Sequence, residues 1–232
     1  MAPHLSGGRS WSAGSRVARL HASRSYGFVL VLIMATFLFI MAAPEQGWTR
    51  SVLALLLCGT LIVAAWTSGF GWSPARTLGL ITVGVAIAVV AEIVSGDRAA
   101  GAVWLVGFVL AAAIIGVIVL GVVDQGEVNR QSIAGAICIY LLLGMLFSFA
   151  YGSAAKLGSG FFFAQGTDGT AAIRLYFSYI TMATVGYGDY TVAGDLGRTL
   201  AVLEGLLGQL YLVTVVALLV GRLRSRRPEG SA

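Results

Sequence analysis

Apolar residues run through this chain in long stretches separated by short polar punctuation, and the lengths of those stretches predict its elements. A helix needs about 20 mainly apolar residues to cross the hydrocarbon core of a bilayer. Six stretches qualify: 26–43, 51–66, 75–94, 101–123, 133–151 and 198–220. A shorter one, Ala171–Met182, has only about 12 residues, too few to span. It is expected to be a re-entrant helix, which is tolerated at membrane depth only where protein or water surrounds it. The predicted fold is an all-α membrane protein: six transmembrane helices, with a re-entrant helix between the fifth and the sixth.

The arginines orient this layout, because lysine and arginine gather on the cytoplasmic side of short loops. Residues 1–25 carry Arg9, Arg16, Arg19 and Arg24, and residues 222–232 carry Arg222, Arg224, Arg226 and Arg227. Both termini are therefore expected in the cytoplasm, a parity that six crossings satisfy. The loops at 73–76 and 124–130 then lie inside; those at 45–50 and 96–98, and the loop between helices 5 and 6, lie outside. The first 25 residues have a transit-peptide-like composition, rich in Ser, Gly and Arg without an acid, but a positive-inside flank accounts for the same residues.

Composition agrees. The chain is 58% hydrophobic and 11% charged, against about 25% charged in soluble domains, which excludes an ordinary soluble protein. Cys58 and Cys138 fall inside predicted membrane helices, where they are expected as small apolar core residues, not a disulfide. His4 and His21 lie in the polar tail without ligand-like spacing. No nucleophile triad, phosphate loop or pair of carboxylates argues for an enzyme, and no nucleic-acid partner is expected.

Directly after the short helix, residues 181–189 read Thr-Met-Ala-Thr-Val-Gly-Tyr-Gly-Asp. Successive carbonyls can face one axis only if the backbone alternates between ordinary and left-handed dihedrals, which glycine tolerates, and Gly186 and Gly188 sit where that permission is needed. Thr184 offers a hydroxyl as one more oxygen ligand, while Val185 and Tyr187 must point away from the axis. Gly-Tyr-Gly-Asp alone also describes a plain turn in a chain with 31 glycines. Its context decides, and the run Thr184, Val185, Gly186, Tyr187, Gly188, Asp189 resembles the selectivity filter of potassium channels residue for residue. Residues 133–221, in the order helix, half-helix, filter, helix, resemble that family's pore domain.

The resemblance implies that four copies of the loop surround one axis, and that carbonyls along residues 184–188 replace the hydration shell of potassium. It therefore implies a homotetramer, with potassium as the permeant ion and no cofactor. The partners are potassium and the lipid bilayer. So little of the chain lies outside the membrane that a bacterial inner membrane suits it.

The same resemblance assigns the flanking residues. Tyr176, Phe177 and Tyr179 fall where the family carries an aromatic cuff around the filter, although interfacial aromatics give the same pattern. Tyr176 takes the place of a donor to the filter's last aspartate, Asp189, and Thr181 lies behind the loop. Ile180 departs from channels that place a glutamate there. Gly208 lies at the position of the family's inner-helix hinge, with a helix-packing contact as the equal alternative. Gln209, Leu212, Val216 and Val220 recur at helical spacing. They are expected to face a water-filled cavity with an apolar constriction, or else lipid. Glu204 is turned about 140 degrees from that face, so it is expected to make a structural or gating contact, with Thr181 or a neighbouring helix, instead of binding the ion.

The fourth stretch, 101–123, contains no arginine or lysine. A six-helix layout with the pore between the last two helices resembles voltage-gated channels, but the arginine series of their sensors is missing. Residues 26–123 are then a four-helix bundle for packing or regulation. The expected function is a potassium-selective channel without steep voltage gating. The alternatives are a less selective cation channel, a transporter subunit of channel ancestry, and a non-conducting scaffold or regulatory subunit that retains the pore sequence.

Overall fold

The computed structural model describes residues 26–44, 46–68, 79, 97–124 and 130–225. Among them are six helices: α1 (Tyr26–Ala42), α2 (Gly47–Thr67), α3 (Asp97–Asp124), α4 (Arg130–Leu157), α5 (Ala171–Met182) and α6 (Asp195–Ser225). The fold is all-helical, and α2, α3, α4 and α6 are long and apolar enough to cross a membrane. The apolar helix α1 is shorter, at 17 residues. The expected third crossing, 75–94, lies outside the described residues apart from Gly79, as do His4, His21 and the basic segment 1–25.

Several helices overrun the apolar stretches that predict them. For example, α4 starts at Arg130 and ends at Leu157, where hydropathy marks 133–151. A helix satisfies its own backbone wherever it runs, so polar and basic residues extend it into the interface once their side chains reach water. At the other end of the chain, α6 continues to Ser225, so the expected cytoplasmic segment 222–232 begins as helix.

The buried positions of α1 are Tyr26, Val29, Ile33, Thr36 and Ile40, a stripe of three- and four-residue steps down one face. That stripe joins Leu57 and Leu61 of α2, Ile114 and Ile118 of α3, and Leu142 and Met145 of α4 in one core. Cys58 and Cys138 are buried in the same core as free thiols. Glycines let the helices approach closely, as expected where small residues mediate packing in membranes. A Cβ on Gly107 would meet the Phe149 ring at 3.2 Å, and one on Gly152 would meet Trp104 at 2.6 Å.

The short helix α5 is held between α4 and α6. Thr170 caps its N-terminus, its side-chain oxygen accepting from the N–H of Ile173 at 3.2 Å. A second cluster, Phe147, Tyr151, Phe162, Phe163 and Phe177, fixes the connection from α4 to α5. Phe163 forms isolated bridges to both Thr167 and Val192 and packs its ring 5.2 Å from that of Tyr190, so the chain before α5 is tied to the chain after residue 189.

Candidate functional site: the loop after α5

The loop begins as the end of a helix. Ala183 is the C-cap of α5, and beyond it Thr184 takes φ +56°, the left-handed conformation. The N–H of Val185 donates to the carbonyl of Ile180 at 2.8 Å, and that of Thr184 to Thr181 at 3.0 Å. These are the two bonds of a Schellman helix stop, with threonine in the place that glycine usually fills. Threonine resists this conformation, so the strain is held by the surrounding bonds, as at many functional sites. The left-handed state then returns at Gly186 (φ +49°) and Gly188 (φ +80°). Alternate residues 184, 186 and 188 thus share one handedness and 185 and 187 the other, which turns successive carbonyls toward a common side. Sequence alone points to left-handed backbone at the two glycines but not at Thr184, whose β-branched side chain gives no signal for positive φ.

The carbonyl end of α5 supplies a further feature. A helix carries partial negative charge at its C-terminus, and α5 ends at the loop, so its dipole favours a cation there.

Tyr176 Oη donates to Asp189 Oδ2 at 2.9 Å, linking the middle of α5 to the far end of the loop. Thr181 contributes its carbonyl to the Schellman stop. The other two aromatics do not surround the loop. Phe177 is buried against Tyr151 and Phe163, and Tyr179 turns to α4 and α1, donating to the carbonyl of Leu141 at 2.6 Å and meeting Phe37 edge-on at 5.3 Å. Residues 177 and 179 lie on sides of α5 that face its own chain. The loop side chains face the open: Val185 is 50% exposed and Tyr187 72%. We predict that Tyr176→Phe, which loses the bond to Asp189, loosens the outer end of the loop, and single-channel records should then show a larger share of time in a non-conducting state.

On α6, Gly208 is a packing contact. The helix runs through it without interruption, and a Cβ there would strike the Met182 side chain and come within 2.9 Å of the Met182 carbonyl oxygen. Gln209 points at the base of the loop, its Nε2 3.5 Å from both the Met182 carbonyl and Thr184 Oγ1, the outer limit of a hydrogen bond. Leu212 is partly exposed further along, and Val216 and Val220 lie on the same helix.

Glu204 is fully buried between α4 and α5. Its partners are Ser178 and Tyr151, whose hydroxyls contact Oε1 and Oε2 respectively, and not Thr181, which lies about one turn further along α5. Neither partner was legible in the sequence, since they lie 26 and 53 residues away.

The long apolar helices define an integral membrane protein. Residues 135–225 match the family model described as an ion channel. Over 84 residues the chain is 36% identical to the inward rectifier potassium channel Kirbac3.1 of Paramagnetospirillum magnetotacticum. That similarity takes in 36% of this chain and 27% of the relative, so the chain spans about a quarter of the length of the relative it matches. No solved structure matches it.

Proposed function

We propose that this chain is one of four identical subunits of a potassium-selective channel that conducts passively through residues 184–188. One observation carries the reading: left-handed backbone at Thr184, Gly186 and Gly188, on a sequence that matches the potassium filter, turns consecutive carbonyl oxygens to one side. Carbonyls so fixed replace water around a dehydrated cation, and several adjacent sites let one ion displace the next. Asp189, held by Tyr176, fixes the outer end of the filter, and Gln209 supports the inner end.

What the single chain leaves open supports fourfold assembly. Irregular backbone at membrane depth must be enclosed by protein or water, yet residues 183–189 are exposed in one copy. Along α6, Val202, Leu206, Leu210 and Val213 are 56–68% exposed, a face that neighbouring copies would cover. Four copies around one axis close both.

Six crossings with both termini inside are part of the reading. The starts of α2 and α3 line one cavity through Arg50, Leu53, Val103 and Trp104, while near their ends Ser68 Oγ donates to the Val117 carbonyl at 3.0 Å. The two helices therefore run parallel, an arrangement that supports this reading. With no basic residue in 101–123, gating does not use an arginine series in that helix.

Purified protein in liposomes should support potassium flux down its gradient without an energy source, and its native mass should correspond to four chains. A conducting preparation with the mass of one or two chains would overturn the assembly, and an inert tetramer would overturn conduction.

A further inference from the structure

Ser178 Oγ lies 2.6 Å from the carbonyl oxygen of Gly144 on α4 and also contacts Glu204 Oε1, while Tyr151 Oη contacts Glu204 Oε2. Three hydrogen bonds need three protons. The tyrosine and serine hydroxyls supply two, and a carbonyl supplies none. Ser178 must donate to Gly144, because Gly144 cannot donate to it. Its contact with Glu204 is then a hydrogen bond only if the carboxyl group brings the third proton. With that proton the chain runs one way, from Tyr151 to Glu204 to Ser178 to the Gly144 carbonyl, and every polar atom in it is satisfied. An ionised Glu204 would compete for the serine proton and leave two oxygens 2.6 Å apart with nothing between them.

The surroundings favour the neutral form. Glu204, Ser178 and Tyr151 are each no more than 0% exposed, and an unpaired carboxylate in such a site is costly. The titratable groups facing Glu204 are Tyr151 from α4 and Tyr179 from α5, whose own hydroxyl donates to the Leu141 carbonyl. Among the described residues, the nearby helices offer no cation to Glu204. Lys156 pairs with Asp168, Arg174 donates to the carbonyls of Asp168 and Gly169, and Arg198 pairs with Asp195.

We infer that Glu204 is held as the neutral carboxylic acid and is a positioning residue in that form: through one proton it fastens α6 to α4 and to α5, the helix that carries the loop. The proton count stands without the channel reading; the effect on flux rests on it. Glutamine reproduces the neutral acid, its NH₂ donating to Ser178 and its carbonyl accepting from Tyr151. Alanine and aspartate do not.

Infrared difference spectra of reconstituted protein, wild type against Glu204→Gln, test the inference directly. We expect a protonated carboxyl C=O band at neutral pH that glutamine removes. A difference containing only carboxylate bands would overturn it. In flux measurements, Glu204→Gln should stay within about twofold of wild type and lose any fall in flux at alkaline pH, while Glu204→Ala and Ser178→Ala should each lose tenfold or more. Glutamine as damaging as alanine, or a wild type and glutamine variant with the same alkaline decline, would refute the positioning role. A protein that shows the band yet passes no potassium would uphold the neutral acid and sink the channel reading instead.

Discussion

We expect Gly186→Ala to abolish potassium flux while leaving the helices folded. The reason is conformational, since a Cβ at this position meets nothing within 4 Å in its own chain. At φ +49°, however, an L-residue with a side chain costs about 1–2 kcal/mol, and on the order of 4–8 kcal/mol in the proposed assembly of four copies. The cheapest relief is a backbone rotation that takes a carbonyl off the axis, so ions lose a ligand while the bundle loses nothing. Liposome flux reads the loss, and unchanged far-UV circular dichroism separates it from unfolding. Wild-type flux in the folded variant would remove residues 184–188 from the conduction path.

The second large effect comes from the opposite kind of glycine. Gly208 sits in ordinary helical backbone, but its missing side chain leaves room for Met182, the last residue of α5. Gly208→Val should force α6 off the base of the loop. Overpacking of this kind costs about 1–3 kcal/mol, and more where the obstructing atom is a backbone carbonyl that cannot turn aside. We expect flux to fall at least tenfold, with a lower thermal midpoint for the tetramer, and a smaller effect in the same direction for Gly208→Ala. A hinge glycine would behave differently: alanine would slow opening without lowering stability. Measuring both quantities on both variants tells the two apart.

The unequal legibility of these residues in the sequence has physical causes. The short helix could be read to its end residues because a run of about 12 apolar positions between polar flanks cannot span, and the loop after it is a dense motif in which glycine spacing reports dihedrals directly. Thr184 was hidden because its left-handed backbone is imposed by the helix stop, a tertiary bargain among neighbouring bonds and not a preference of threonine. Gly208 was ambiguous for a related reason. Absence of a side chain serves bending and close approach alike, and the sequence does not show Met182 lying against this position. Phe177 and Tyr179 are expected in the cuff because their positions match those of aromatics in the family, whereas in this chain the helix turns Phe177 toward Tyr151 and Phe163 and Tyr179 toward α4 and α1. The polar chain through Glu204 joins three helices distant in sequence, so its buried acid announced a contact but not the partners.

These residues give the architecture a division of labour. Bulky aromatics around Phe163 tie the chain entering α5 to the chain leaving the loop, small residues let α3, α4 and α6 approach, and hydrogen bonds through Ser178, Tyr151 and Glu204 link α4, α5 and α6. A loop that must keep strained dihedrals needs rigid surroundings, and the packing around α5 provides them.

The most direct test of the central claim is the reversal potential of the purified protein in a planar bilayer with potassium on one side and an equal concentration of sodium on the other. A filter built on residues 184–188 predicts a reversal displaced far toward the potassium equilibrium potential, with sodium carrying little current in either direction. A reversal near zero, with potassium and sodium carrying equal current, would contradict it.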